Sequence, residues 1–392
     1  MAVQHPRILR IRTELKSLKV KSIRDPLPVN DESLLKILPS KELVDYHVRL
    51  YVDNFETLYR VLHIPSFWTD YTNMWASPNK IEPGFVCLVL LMLAATYCLS
   101  SHGPQRSSLP PYLARDTACS WIAECGIWLS RQTEKHTSLI SMQLQCVLFV
   151  AQQMNSYKRK RTWINAETLL SFAISKGLHR DADIINRQYG ERRISIFDQE
   201  MRKRLWTTIT ELELENALNR GVPSSFPNLI VDCGAPLNCM DENLHPEMEF
   251  TPVSQPDSQI TPSSYQSVAS KTWSLRQHIT CFLNGTNSEL GYVEVLALDQ
   301  RVLQYVDEIP TWKQSGNLLL RALLQLQLYQ LLLLLHRQFT TSREGQHIYS
   351  RSASMRAATA IIDLHHNLMT KDRRILLISR QDLRNAAFKY LL

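Results

Sequence analysis

The chain has 392 residues, a length that can bury a large core as one domain or as two closely packed ones. Hydrophobic residues make up 44% and charged residues 21%, which is ordinary for a soluble globular protein. The formal net charge is +7, and residues 1–24 carry +6 of it, with seven basic side chains and one acidic one. The remaining chain is therefore close to neutral, and a broad nucleic-acid-binding face on the folded body is not implied.

The eight cysteines do not form a metal-binding pattern, because no two of them are separated by the two-residue gap of a zinc hairpin. Buried free thiols in a reducing compartment are favoured over disulfides or a metal site. No signal peptide is visible, and no membrane contact is expected. Phe85–Leu99 is too short to span a bilayer, and Leu318–Leu335 is interrupted by polar residues, so both are predicted to be buried core helices.

Residues 1–39 are predicted to be a basic N-terminal arm and linker. Apolar residues recur in the arm at alternating gaps of three and four, at Ile8, Ile11, Leu15 and Leu18. This heptad pattern leaves two interpretations open. The arm is either a short coiled coil that pairs two copies into a homodimer, or an unpaired basic arm. Pro26 starts the linker.

Residues 40–250 show helical spacing of apolar residues and hardly any alternating strand pattern, which predicts an all-α fold, a large multi-helix bundle-like domain. Helices are expected from Ser40 onward, over Phe85–Leu99, over Thr117–Leu129 and over Leu139–Met154. A basic connector follows, with Lys158, Arg159, Lys160 and Arg161 in succession. Such a run is most often a solvated loop, and the alternative is a nuclear localisation signal.

The chain is organised around residues 168–244. A helix is predicted to stop at Gly177, where a left-handed closing residue is needed. A second helix begins near Phe197, with Asp198 as its expected N-cap, and ends at Gly221 and Pro223. An extended tail follows over residues 236–242.

These blocks resemble, in the same order, the middle homology region of fungal zinc-cluster transcription factors. The family has a glycine-leucine-histidine-arginine-aspartate turn, matched by Gly177 to Asp181. It has an acidic-then-basic helix start that ends in leucine-tryptophan, matched by Glu200 to Trp206. Two positions depart from the pattern: Thr207 stands where the family usually has a second tryptophan, and Val222 where it usually has arginine.

The other blocks fall in place over about residues 40–340. The family's glycine-proline stop and acidic tail are matched by Gly221, Pro223 and Pro236 to Glu242. Its opening motif ends in histidine, proline and phenylalanine, matched by His63, Pro65 and Phe67. A leucine-histidine-arginine motif is matched at Leu335 to Arg337, where a helix end would favour the two cations through its dipole.

Residues 251–270 are rich in Ser, Thr, Pro and Gln and are predicted to be a flexible loop. Residues 271–392 are predicted to form the C-terminal helical part of the same domain. The helices expected there are Leu290–Val306, Leu318–His336, Ala357–Met369 and Arg374–Tyr390.

No catalytic constellation is found, and the chain is not expected to be an enzyme. Asp181 and Asp183 are interpreted as an exposed helix-end cluster rather than a cation site. The adjacent His365 and His366 point to different sides of a helix. The spacing of two between Glu211, Glu213 and Glu215 is expected to spread them around the helix rather than converge them.

The resemblance implies a nuclear transcriptional regulator that controls a metabolic or secondary-metabolite biosynthetic gene cluster, with coregulators and a small-molecule effector as further partners. The family's zinc-cluster head has no counterpart in the sequence. DNA contact is therefore expected through a head that is missing here or supplied by a partner, and zinc as a cofactor only with that head. The alternatives are an all-α enzyme of unknown reaction and an interaction protein derived from a regulator.

Overall fold

The computed structural model confirms the all-α fold. It describes residues 31–77, 82–99, 111–132, 139–157, 162–189, 194–225, 230–285, 291–312, 318–340 and 347–370. Within these ranges there are fourteen α-helices, one short 3-10 helix at Asp241–Asn243 and no β-strand.

In chain order the first seven helices are α1 (Asp31–Lys36), α2 (Lys41–Asn54), α3 (Glu56–Tyr59), α4 (Ile64–Ala76), α5 (Pro83–Thr96), α6 (Pro111–Ser130) and α7 (Leu139–Met154). The second seven are α8 (Thr162–Ser175), α9 (Ala182–Tyr189), α10 (Ile196–Arg220), α11 (Ser264–Asn284), α12 (Tyr292–Glu308), α13 (Leu318–Thr340) and α14 (Ile348–Thr370).

Helix α5 is the centre of the N-terminal half. Every residue from Gly84 to Thr96 is buried, so the helix has no solvent face. It packs against α2, α6 and α7, which surround it with apolar side chains. The prediction of a core helix here is confirmed, and its apolar composition follows from burial on all sides.

Helix α13 plays the same part in the C-terminal half, where it packs against α11, α12 and α14. By length and composition alone it could cross a membrane, but most of its apolar stretch is buried inside the protein. Gln327 and Gln330, the polar interruptions in its leucine run, are themselves buried. The helix is therefore a core helix, as predicted.

Helix α10, which we call the central helix, begins and ends at clear local signals. Gly221 ends it with φ of 66°, and Gly177 ends the preceding α8 turn with φ of 68°, as predicted for left-handed closing residues. The predicted cap was wrong by one turn. Ser195 is the N-cap and accepts from the Asp198 backbone N–H at 3.0 Å, while Asp198 receives the Ser195 hydroxyl.

Several other helices are longer in the structure than the sequence predicted. Leu139–Met154 has the predicted bounds, whereas α6 begins earlier, at Pro111, and α14 begins earlier, at Ile348. Helix α11 begins at Ser264, so residues 264–270 are helical although a loop was predicted there. The heptad arm, the basic run Lys158–Arg161 and the predicted helix Arg374–Tyr390 lie outside the described residues, and the division into domains stays a prediction.

Candidate functional site: the buried polar face of the central helix

The central helix is unusual because it is both polar and buried. Sixteen of its 25 residues are buried, and they include four glutamates and an arginine. It contacts α7, α8, α3 and α11, so it lies between the N-terminal and the C-terminal helices. Buried charges require partners, and two ionic clusters supply them.

The first cluster forms around Asp241, in the tail that follows the helix. Arg204 Nη1 donates to Asp241 Oδ1 at 2.8 Å, and Arg60 Nη2 donates to the same oxygen. The other carboxylate oxygen accepts from the Ile64 backbone N–H at 3.1 Å. Arg204 Nε also donates to Glu200 Oε1 at 3.2 Å. Two arginines and one backbone amide thus converge on a carboxylate that is 3% exposed.

The pKa values of two carboxyl groups at this cluster, Asp241 and Glu56, are shifted in opposite directions. Burial alone would raise the pKa of Asp241, but Arg60 and Arg204 outweigh it and lower that pKa to about 2. Burial raises the pKa of Glu56 to about 7, although Arg60 and the Leu62 backbone N–H favour its ionised form. Asp241 is therefore the fixed anion of the cluster, and Glu56 is a carboxyl that titrates near neutral pH.

The second cluster joins the central helix to α11 and α13. Arg276 donates through both terminal nitrogens to Glu211, at 2.9 Å for the Nη1–Oε2 pair. Gln327 Nε2 lies 3.3 Å from Glu211 Oε2, 3.3 Å from Glu215 Oε1 and 3.0 Å from the Tyr265 hydroxyl. The bidentate arginine geometry and the shared amide tie three helices together at one buried point.

The expectation that the three glutamates would not converge was therefore partly wrong. Glu211 and Glu215 are four residues apart, which places them on one face, and they meet at Gln327. Glu213 lies on another side and accepts from Ser224 and Ser225 beyond the helix end. The spacing of four residues between Glu211 and Glu215 could have predicted from the sequence that they lie on one face of the helix.

His336 was predicted at a helix end, and this was also wrong, because α13 continues to Thr340. Its side chain is fully buried. Nε2 is hydrogen-bonded to Asp299 Oδ1 at 3.0 Å, and Nδ1 is hydrogen-bonded to the Ser350 hydroxyl at 3.0 Å. The histidine joins α12, α13 and α14 through hydrogen bonds instead of a helix dipole.

The remaining sequence candidates have structural contacts. His63 Nε2 donates to the Asp241 carbonyl at 3.0 Å, and its Nδ1 is hydrogen-bonded to the Ser66 hydroxyl at 2.8 Å. Asp181 Oδ1 caps the first turn of α9 by accepting from the backbone N–H groups of Asp183 and Ile184. No group of three or more His, Cys, Asp or Glu side chains within the described ranges could hold a metal ion.

Replacing Arg204 with methionine should strongly destabilise the fold. The substitution keeps most of the apolar stem but leaves the buried Glu200 and Asp241 without a shared cation. We expect the free energy of unfolding to fall by about 3–5 kcal/mol, measured by urea denaturation followed by circular dichroism. The control is Arg180→Met, which breaks a half-exposed pair with Asp232 and should cost less than about 1 kcal/mol. Equal losses in the two variants would contradict the assignment.

The protonation of Glu56 should make stability depend on pH. The pKa of Glu56 is raised from 4.5 to about 7 in the folded state. The contribution of protonated Glu56 to the free energy of unfolding is therefore complete below pH 4.5 and is lost as the pH rises through about 7. Relative to Glu56→Gln, wild type should lose up to about 3 kcal/mol between about pH 5 and about pH 8. His47, whose burial lowers its pKa to about 4, acts in the opposite direction, but it is present in both proteins and cancels from the difference. A pH-independent difference in urea denaturation would contradict the prediction.

This chain is similar in sequence to known proteins over most of its length. Residues 48–347 match the model of the fungal specific transcription factor domain. The transcription factor opdR of Penicillium oxalicum is 32% identical over 290 residues, which are 74% of this chain and 35% of that protein. The transcription factor asR3 of Sarocladium schorii is 29% identical over 282 residues, covering 72% of this chain and 32% of that protein.

A more distant relative is named for a gene cluster. The equisetin cluster transcription factor eqxF of Fusarium heterosporum is 22% identical over 374 residues, covering 88% of this chain and 51% of that protein. The chain spans about a third of the length of opdR and asR3. No solved structure matches it. The family match covers both ionic clusters and most of the described helices, and the chain belongs to the fungal specific transcription factor domain family.

Proposed function

We propose that the chain is the helical regulatory body of a fungal transcriptional regulator, that it governs a biosynthetic gene cluster, and that it is not an enzyme. The observation that carries this proposal is the family match over residues 48–347. The relative eqxF, which is named for the equisetin cluster, supports a biosynthetic gene cluster as the target. Buried charges of the central helix are paired within the helix, with the tail and with α11, which suits a body that responds through packing.

DNA contact in this proposal comes from a zinc-cluster head that is not in the sequence given, or from a partner that carries one. The matched region begins at residue 48. The basic arm over residues 1–24 would stand between the head and the body, where it can pair two copies or remain single. A zinc cofactor then belongs to the head and not to this chain.

Regulation would pass through the central helix. Arg60 and Arg204 fix it to the N-terminal helices and the tail, and Arg276 and Gln327 fix it to the C-terminal helices. A coregulator or a small effector bound on either half can therefore change the packing of the other through this helix and its two clusters. This requires differential binding to two packings, which is the general condition for such coupling.

Fusion to a heterologous DNA-binding domain should give the chain control over a reporter gene that carries the matching binding sites. We expect expression to change several-fold, up or down, relative to the DNA-binding domain alone. The fold-disrupting Arg204→Met fusion should lose the effect, and the Arg180→Met fusion should keep it. If a stably expressed wild-type fusion behaves like the DNA-binding domain alone, the chain is an interaction protein and the proposal fails.

Nuclear import should depend on the basic run if it is a localisation signal. Replacing Lys158, Arg159, Lys160 and Arg161 with alanine should lower the nuclear share of a fluorescent fusion, measured by microscopy in a fungal cell. The matched control removes four positive charges from the arm, by replacing Lys16, Lys19, Lys21 and Arg24 with alanine. Unchanged nuclear fluorescence in the first variant would show that the run is only a charged connector.

A further inference from the structure

A cleft lies between the central helix and α11, and the extended segment 231–235 closes its third side. Its volume is about 160 Å³. The side chains that matter for its chemistry are Trp206, Thr207, Ser270 and Trp273, and Gly234 contributes backbone. Two indoles with a few hydroxyl groups make a largely apolar site with a small number of polar positions, as in small-molecule pockets.

The extended wall is fixed in place by the turn that follows α8. The His179 carbonyl accepts from the backbone N–H groups of Asp232 and Cys233, at 3.2 and 3.1 Å. The turn is itself fixed to the central helix, because Arg202 Nη2 donates to the Gly177 carbonyl at 2.8 Å. The cleft is therefore formed by folding and does not need a ligand to assemble it.

Thr207 gives the cleft its room. Its side chain lines the cleft between the two indoles. An indole at this position would fill much of a space of about 160 Å³. The Thr207 hydroxyl makes no hydrogen bond to any described residue, whereas the neighbouring Thr210 hydroxyl bonds to the Trp206 carbonyl at 3.0 Å. The first hydroxyl remains available to a ligand.

Lys203 places a positive charge beside Gly234 in the wall of the cleft. Its side chain is half-buried, and it forms no ion pair within the described ranges. The ammonium lies 3.9 Å from the point that a Cβ on Gly234 would occupy, so it is beside the extended wall. Lys271, on α11, lines the cleft itself, but it is paired with Asp257. A half-buried cation that forms no ion pair in the described part of the chain favours an anionic ligand.

We propose that this cleft binds a small aromatic carboxylate with a single ring, the ring against the indoles of Trp206 and Trp273 and the carboxylate toward Lys203 and Thr207. The size agrees, because an apolar cavity of about 150 Å³ is enough to hold benzene. The preference for a flat ring follows from the stacking of aromatic groups, and the preference for a carboxylate from charge-assisted bonds to the ammonium. As an effector site the inference rests on the proposed function, but as a binding site it does not.

The test is direct binding of benzoate and salicylate to the purified full chain, by saturation-transfer NMR and by titration of the ligand signals. Wild type should bind at least one of them saturably, with a dissociation constant below about 1 mM. Neutral benzamide should bind at least about tenfold more weakly, since it lacks the charge that Lys203 would meet.

Three variants identify the site. Thr207→Trp should abolish binding by filling the cleft, and Lys203→Met should weaken benzoate several-fold while leaving benzamide unchanged. Lys176→Met, which removes a half-buried lysine on the preceding turn, is the matched control and should bind like wild type. Circular dichroism and the urea midpoint establish that each variant is folded.

Absence of saturable binding to folded wild type overturns the inference, and so does binding that Thr207→Trp leaves unchanged. The reporter fusion separates this outcome from the proposed function. A fusion that controls the reporter while purified protein binds neither acid would remove the site and keep the regulator. Binding in the cleft with an inactive fusion would do the reverse.

Discussion

The architecture depends on one buried carboxylate. Asp241 receives Arg60 from the end of α3 and Arg204 from the central helix, together with the backbone N–H of Ile64. These groups come from three distant parts of the sequence. None of the charges could be buried alone, because desolvation would cost several kcal/mol per ion. Because each of these buried charges needs the others as partners, they determine where α3, the central helix and the extended tail meet.

The same requirement explains how a polar helix can occupy the middle of the fold. An apolar helix in this place would be positioned by the shape of its packing alone. Charges that find partners in only one arrangement define the register, a role for which buried polar groups are well attested in helical assemblies. Glu211 and Glu215 extend this constraint to the C-terminal half through Arg276 and Gln327. The two halves consequently share one rigid element and cannot repack independently.

Features that depend on a few neighbouring residues were predictable from the sequence. The bounds of Leu139–Met154 and the stop at Gly221 follow from apolar spacing and from a left-handed glycine. The cap at Ser195 was missed because Asp198, also a good capping residue, lies three positions later. The partners of Glu211 and His336 could not be found, since Arg276 and Asp299 are brought to them only by tertiary packing.

The motifs that carried the family resemblance are explained by these contacts. The turn at Gly177–Asp181 carries the carbonyl that fixes the extended wall, and the acidic tail supplies Asp241. Residues at these positions maintain the fold, and they say little about which effector a given family member binds. Thr207 stands where the resemblance predicts a second tryptophan. It takes no part in either ionic cluster, and it leaves space between two indoles, beside a lysine that forms no ion pair in the described ranges. We therefore expect the ligand specificity of this chain to come from positions that differ from the family motifs, and its fold to come from positions that match them.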